Sequence, residues 1–128
     1  MAIFNLMGIE IPLAYTIGAK KELLEEFGTA DKLQAAFAVA SDVELAENAA
    51  KIGSIMAKAE LTRQRAEHML LGTEITAREI SAEDLFALLD IEKTLELIEA
   101  ISSSVREANK TQFQIQETNG KKAEATQE

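Results

Sequence analysis

The single histidine, His68, is the first residue to consider for chemistry. A catalytic or metal-binding histidine needs partners, but its helical neighbours Glu60, Gln64 and Glu67 form no recognised motif. Zinc proteases place two histidines one helical turn apart on the same face. The sequence therefore indicates a histidine on the solvated face of a helix.

Carboxylates occur in two neighbouring pairs, Glu25–Glu26 and Glu83–Asp84. Such pairs can serve acid–base chemistry or bind cations. Adjacent residues of a helix do not face the same point, however, and each pair lies in a predicted helix with an apolar opposite face. Both pairs are therefore typical of solvated surface.

Three further groups lack the partners that their chemistry requires. The serines at 102–104 lie inside a predicted helix, without the glycine elbow of a serine nucleophile. The segment NGKK has one glycine and no strand-to-helix context, so it does not predict a phosphate loop. A ladder without a Glu-x-x-His pattern consists of Glu92, Glu96 and Glu99. We predict that the protein is not an enzyme and has no catalytic residues, no cofactor and no metal site.

Composition narrows the classes of partner. The chain has 128 residues, no cysteine and a formal net charge of −9, which fits one domain in a reducing compartment. A polyanion would be repelled by this charge, so we expect no nucleic-acid partner. The N-terminal segment does not resemble a secretory signal, and no apolar run approaches the roughly 20 residues that span a bilayer. We therefore expect a soluble intracellular protein without a membrane partner.

Apolar spacing predicts a mainly α fold with a small N-terminal β-hairpin followed by a compact helical domain of about five helices. Strands are predicted over 2–6 and 9–13, joined by a turn at Met7 and Gly8, with Pro12 on an edge strand. Helices are predicted over 17–27, from about 30, over 42–71, over 82–89 and over 91–108. The expected N-caps are Thr16, Thr29, Ser41 or Asp42, Ser81 and Asp90.

The same spacing predicts which side of each helix faces the core. Gly53, in the middle of the longest helix, indicates either close packing or a small bend. The predicted core residues are Ile17, Leu24, Phe27, Leu33, Ala36, Phe37, Ala40, Leu45, Ala49, Ile52, Met56, Ala59, Ala66, Met69, Leu70, Leu85, Phe86, Leu88, Leu89, Ile91, Leu95, Ile98, Ser102 and Val105.

The composition changes at about position 109, which divides the chain into a helical domain over 1–108 and a polar flexible tail over 109–128. The tail is too polar to offset its ordering entropy, so it is predicted to be disordered. Phe113 and Ile115 are exceptions that would share one side of an extended strand. They either pack back on the domain or extend the hairpin, or they form a partner-binding strand.

The start of the chain, "GIEIPLAYTIGAKKELLEEFG", resembles the tail assembly chaperones of long-tailed (siphovirus-like) bacteriophages and prophages. In that family a short strand with the pattern G-x-x-[apolar]-x-[apolar] leads to a helix that ends in E-[EK]-[FY]-G. The match covers about the first 30 residues and is carried by Gly8, Ile11, Leu13, Ile17, Leu24, Glu26, Phe27 and Gly28.

The resemblance implies a non-catalytic assembly factor that binds and solubilises the tape measure protein during tail morphogenesis. Such a protein works in the cytoplasm of the bacterial host and is absent from the mature virion. The tail tube protein is a further partner that the resemblance allows, as is self-association into a homo-oligomer. The alternative is a structural phage tail or connector protein that is retained in the virion.

The family also often makes a longer product by ribosomal frameshifting near the end of the short reading frame. Gly120 and Lys121 could be encoded by a slippery run of bases. The tail would then act as a flexible tether to a second domain.

Overall fold

Two strands and five helices form the fold of this chain, in a computed structural model that describes the backbone of residues 2–127 and the side chains of residues 2–110. The elements in chain order are β1 (Ala2–Leu6), β2 (Ile9–Leu13), α1 (Ile17–Phe27), α2 (Ala30–Gln34), α3 (Asp42–Leu71), α4 (Ala82–Leu88) and α5 (Ile91–Gln127). A single 3₁₀ turn, Ala35–Phe37, follows α2. The predicted class, mainly α with an N-terminal hairpin and five helices, is confirmed.

The hairpin closes through a two-residue turn at Met7 and Gly8, whose φ angles are 54° and 78°. Positive φ at both positions is the signature of a type I′ turn, which matches the natural twist of the strands. Leu6 and Ile9 flank this turn as a pair, and the alternation of ladder bonds then places the Ile3–Pro12 pair at a non-hydrogen-bonded position. The missing N–H of Pro12 therefore removes no bond from this edge strand.

Each helix begins at a residue whose side chain accepts a hydrogen bond from a backbone N–H three residues later. The third helix is capped by Ser41 rather than Asp42. Gly28 and Gly72 end α1 and α3 with positive φ angles. The cap and donor pairs are Thr16 with Ala19, Thr29 with Lys32, Ser41 with Glu44, Ser81 with Asp84 and Asp90 with Lys93.

The core lies where the inner face of the hairpin meets α3 and α5, with α1 and α4 packed against α3. Its largest fully buried apolar side chains are Phe4, Leu13, Leu23, Met56, Leu85 and Leu97. Few of them are aromatic, so the core depends on close aliphatic packing.

Gly53 lies where α4 and α5 both approach α3. A Cβ atom there would lie 3.1 Å from one methyl carbon of Leu97 and 3.2 Å from a methyl carbon of Leu85. Both distances are below ordinary van der Waals contact. Of the two interpretations of this glycine, the structure therefore supports close packing.

Several predicted core residues are exposed, and for these the prediction is wrong. Five residues in the described part of α5 are buried, and four of them, Thr94, Leu97, Ile101 and Ser104, each lie one position before a residue of the predicted stripe; the fifth is Ala100. The buried side of α5 is thus shifted by about one residue from the predicted side. The contacts of α5 with the hairpin and α3 select this side, and the number of apolar residues on each side does not. The exposed residues are Ile17, Ala40, Ala66, Met69, Leu70, Phe86, Leu88, Ile91 and Leu95.

The last part of the chain carries three predictions that the structure does not test. The backbone of α5 continues to Gln127, beyond the predicted helix end at 108. The side chains of 111–128, including those of Phe113 and Ile115, lie outside the described residues, so the predicted flexibility of 109–128 stays a prediction. The division into a domain over 1–108 and a tail over 109–128 also stays a prediction.

Tyr15, which follows the hairpin and packs against the core, provides a spectroscopic test of the fold. Burial raises the pKa of its phenol above the ordinary value of 10.0. Because the raised pKa favours the neutral phenol in the folded state, this stabilisation is complete below pH 10 and is lost as the pH rises through the folded pKa. We expect the tyrosinate absorbance to appear at higher pH in the folded protein than in the urea-unfolded chain.

The measurement is free of interference, since Tyr15 is the single tyrosine and the chain has no tryptophan. The Tyr15→Phe variant should show a smaller fall in the free energy of unfolding above pH 10. Identical titration midpoints in the folded and unfolded chains would contradict the burial of this ring.

Candidate functional site

An apolar cleft of about 370 Å³ lies between the first turns of α3, helix α4 and the first turns of α5. Its lining residues are Asp42, Val43, Leu45, Ala46, Phe86, Leu89, Asp90, Ile91, Thr94 and Leu95. Three of the apolar side chains here are mostly exposed: Val43 by 60%, Ile91 by 64% and Leu95 by 56%. Large apolar side chains clustered on the surface are informative because single exposed ones are common.

The cleft results from how α4 and α5 are anchored. Leu85 of α4 packs inward against Gly53, so the next residue, Phe86, points away from the core and is 38% exposed. Leu97 of α5 is fully buried, which turns Ile91 and Leu95 away from the core. The cleft therefore forms because α4 and α5 each bury one apolar side and carry a second apolar side at the surface.

Nearly all of the net charge lies in two segments, 41–50 and 81–99, which supply all of the lining residues and are called the cleft walls. These segments contain nine carboxylates and one lysine, a net of −8 out of the −9 of the whole chain, and two of the carboxylates, Asp42 and Asp90, line the cleft itself. All nine carboxylate residues are exposed. Sequence analysis missed this concentration, although a sum of charges along the chain would have shown it.

The one lysine of these walls, Lys93, uses its ammonium group for contacts with other residues of the chain. Its Nζ lies 2.7 Å from a carboxylate oxygen of Glu96 and donates to the carbonyl of Asn5 at 3.4 Å. The hydrogen bond to Glu96 raises the pKa of Lys93, so it stays protonated. It offsets little of the surrounding negative charge.

A second exposed apolar group is at the end of α3, where Met69, Leu70 and Leu71 are each more than 70% exposed. The helix ends there at Gly72, and the loop that follows returns to α3. The side-chain oxygen of Gln64 accepts from the backbone N–H groups of Thr76 at 2.7 Å and Ala77 at 2.9 Å. These three apolar residues do not line the cleft between α3, α4 and α5.

His68 is exposed, as predicted, and it helps to end α3. Its Nδ1 is within hydrogen-bond distance of the Thr73 carbonyl. Because a carbonyl can only accept, the Nδ1–H form of the ring is the donor. This contact explains the histidine without a catalytic role.

The other residues considered for chemistry are also accounted for by structure. The pairs Glu25–Glu26 and Glu83–Asp84 are exposed on helix surfaces. Ser104 is buried, and its Oγ donates to the Leu13 carbonyl at 3.0 Å and accepts from the Ala2 N–H at 3.2 Å. This serine fastens the hairpin to α5.

Glu60, which the sequence marks only as a helical neighbour of His68, is a fully buried carboxylate. Its two oxygens lie 2.6 Å and 3.1 Å from Nε of Arg63, which also binds Glu67 at 2.6 Å. These hydrogen bonds, the one to Glu60 first, raise the pKa of Arg63. The carboxylate is buried because the segment after β2 crosses α3 here, where the Ala14 N–H donates to the Met56 carbonyl.

The described part of the chain has neither a group of metal-binding side chains nor a membrane-spanning helix. No three carboxylate or histidine side chains there are grouped so that they could hold a metal ion. None of its helices combines the length and the apolar character needed to cross a bilayer.

The cleft between α3, α4 and α5 is thus a candidate binding site, because it combines an apolar lining with segments of mostly negative charge. Comparison of the chain with protein-family models, with curated proteins and with solved structures gives no match.

Proposed function

We propose that this chain is a tail assembly chaperone of a long-tailed bacteriophage or prophage. In this role it binds and solubilises the tape measure protein in the cytoplasm of the bacterial host, and it catalyses no reaction. The observation that carries the proposal is the open apolar cleft bounded by Val43, Phe86, Ile91 and Leu95. The resemblance of the first 30 residues supplies the phage context.

The cleft suits a helix as its ligand. An amphipathic helix can lay its apolar stripe into a groove between two other helices. Full burial of a Val, Leu, Ile or Phe side chain contributes roughly 1.5–3 kcal/mol, so these partly exposed residues would contribute about 1–2 kcal/mol each. Association costs at least about 4 kcal/mol of lost freedom, so one cleft binds weakly.

Weak binding at each cleft agrees with the role of an assembly factor. A long helical partner with repeated apolar stripes would hold many copies, and each copy could be displaced when the tail tube assembles. The acidic walls would give such a complex a high negative charge, which opposes aggregation.

Replacement of two cleft residues tests the proposal. We expect the Ile91→Gln/Leu95→Gln variant, co-expressed with the tape measure protein, to leave most of that protein insoluble. The physical reason is that the cleft loses two apolar lining side chains, Ile91 and Leu95, while the net charge and the core are unchanged. Both residues are more than half exposed, so the melting temperature should stay within a few degrees. The soluble fraction of the tape measure protein is the measurement.

The matched control is Met69→Gln/Leu70→Gln, which changes two apolar residues of similar or greater exposure away from the cleft. Equal loss of solubility with both variants, or with neither, would contradict the assignment of the cleft. Abundance of the chain in purified mature particles by mass spectrometry would instead support the structural tail or connector protein.

A further inference from the structure

We infer that the segment bound in the cleft is a cationic amphipathic helix, with an apolar stripe flanked by lysine or arginine. The inference rests on the proposed function, since it names the chemistry of the helix that the cleft receives. It is argued from the shape of the cleft and the distribution of charge around it.

The shape of the cleft favours a helix as its occupant. One wall carries Ile91 and Leu95, four residues apart on α5, and the other carries Val43 and Ala46, three residues apart on α3. These spacings are ridges on facing helix surfaces, and a third helix packs its own ridge into the groove between them. The contacting stripe of that helix must be apolar, because the lining is.

The negative charge around the cleft favours positively charged side chains on the flanks of that helix. Asp42 and Asp90 line the cleft itself. Glu47 follows Val43 by one helical turn, and Glu99, which is paired with Arg106 at 3.2 Å, follows Leu95 by one turn, so both lie on the same side of their helices as residues that line the cleft. A helix seated here would bring its flanking side chains close to these carboxylates.

The rest of the chain provides a contrast. Outside the segments 41–50 and 81–99 there are thirteen acidic and twelve basic residues, which nearly cancel. The negative charge is therefore a property of the cleft region and not of the protein as a whole. An even coat that only kept the protein soluble would not be concentrated at one apolar site.

A second copy of this chain is a poorer occupant. Two clefts facing each other would bring two sets of acidic walls together, and like charges in an interface are strongly unfavourable. A cationic helix instead gains affinity from the apolar stripe and a faster association rate from the field.

The test uses three labelled helical peptides of about 18 residues, long enough to form an isolated helix. The first is cationic and amphipathic, with Leu on one face and Lys on the flanks. The second has every Lys replaced by Glu. The third has the composition of the first in a scrambled order that removes the apolar stripe. Fluorescence anisotropy with the full-length protein gives each dissociation constant at low and at physiological salt.

We expect the cationic amphipathic peptide to bind about tenfold or more tightly than the other two, with an affinity that falls as salt is added. The Ile91→Gln/Leu95→Gln variant should bind it about tenfold more weakly, and Met69→Gln/Leu70→Gln should bind it normally. Neutralisation by Glu47→Gln/Glu99→Gln should weaken binding about threefold. The same number of charges removed at Glu74→Gln/Glu79→Gln, outside the cleft walls, should leave it unchanged.

Equal binding of the anionic peptide would overturn the inference, and so would equal binding of the scrambled peptide. Dimerisation that the cleft variant abolishes, without binding of any peptide, would show that a second copy is the occupant. If the solubility of the tape measure protein depends on the cleft but no cationic peptide binds, this inference is rejected and the proposed function is kept. If the cationic peptide binds in the cleft but the cleft variant leaves the solubility of the tape measure protein unchanged, the inference is kept and the proposed function is rejected.

Discussion

Replacement of Gly53 by valine is expected to lower the free energy of unfolding by about 2–3 kcal/mol. The first added carbon would lie 3.1–3.3 Å from methyl groups of Leu85 and Leu97, and valine adds two more carbons to the same space. Neither leucine can move away easily, because both are almost fully buried. Urea denaturation followed by circular dichroism measures the change.

A double-mutant cycle identifies the cause. Leu97→Ala should itself be costly, since it removes a fully buried side chain. Combined with Gly53→Val, however, its cost should be less than additive by about 1 kcal/mol, because the alanine vacates the space that valine needs.

Gly18 is the matched control for Gly53, since a Cβ there meets only the Thr16 hydroxyl, at 3.7 Å. Gly18→Ala should stabilise the protein by about 0.5–1 kcal/mol through helix propensity. A comparable gain from Gly53→Ala would show that α4 and α5 do not press on α3 as described.

Replacement of Arg63 by methionine is expected to cost about 2–3 kcal/mol of stability at neutral pH. Glu60 has no exposed side-chain surface, whereas Arg63 is 46% exposed and supplies the hydrogen bonds to that carboxylate. Without the guanidinium, a buried charge would lose its partner. Thermal and urea denaturation of the variant give the loss.

The Glu60→Leu/Arg63→Met variant should recover most of that stability, because it removes the buried charge together with its partner. Arg65→Met, an exposed arginine on the same helix, should change stability by no more than about 0.5 kcal/mol. Similar losses from Arg63→Met and Arg65→Met would show that the pair with Glu60 is a weak surface interaction.

Most helix and strand boundaries, although not the end of α5, could be predicted from the sequence because their causes are local. The start of α3 is set by the hydroxyl of Ser41 and its end by the left-handed conformation of Gly72, which are properties of single residues. The hairpin turn at Met7 and Gly8 is equally local. Such signals need no knowledge of what the element packs against.

The buried side of each helix could not be predicted reliably, because packing partners decide it. In α5 both Leu95 and Leu97 are apolar, and only contact with α3 and the hairpin selects Leu97 for the core. Glu60 shows the same limitation, since a Glu–Arg pair three residues apart on a long helix looks solvated until the segment after β2 covers it.

The candidate site follows from this ambiguity. The stripe of Ile91 and Leu95 was predicted to lie in the core, and periodicity does not distinguish a core from a groove. Its exposure is known only once the structure shows which side of α5 is buried. The acidic walls, by contrast, were present in the sequence as a local excess of charge.

The attachment of the hairpin to α5 has a consequence for the order of folding. The hairpin is held by bonds from Ala2 to Ser104, from Ser104 to Leu13 and from Lys93 to Asn5, which join residues 88–102 positions apart. A two-stranded hairpin is marginal alone, and contacts of such long separation form late. During synthesis its apolar face, part of which packs on α3, therefore stays incompletely covered until α5 has left the ribosome. A protein proposed to shield the apolar stripes of another chain thus begins its own folding with an apolar surface that lacks its helix.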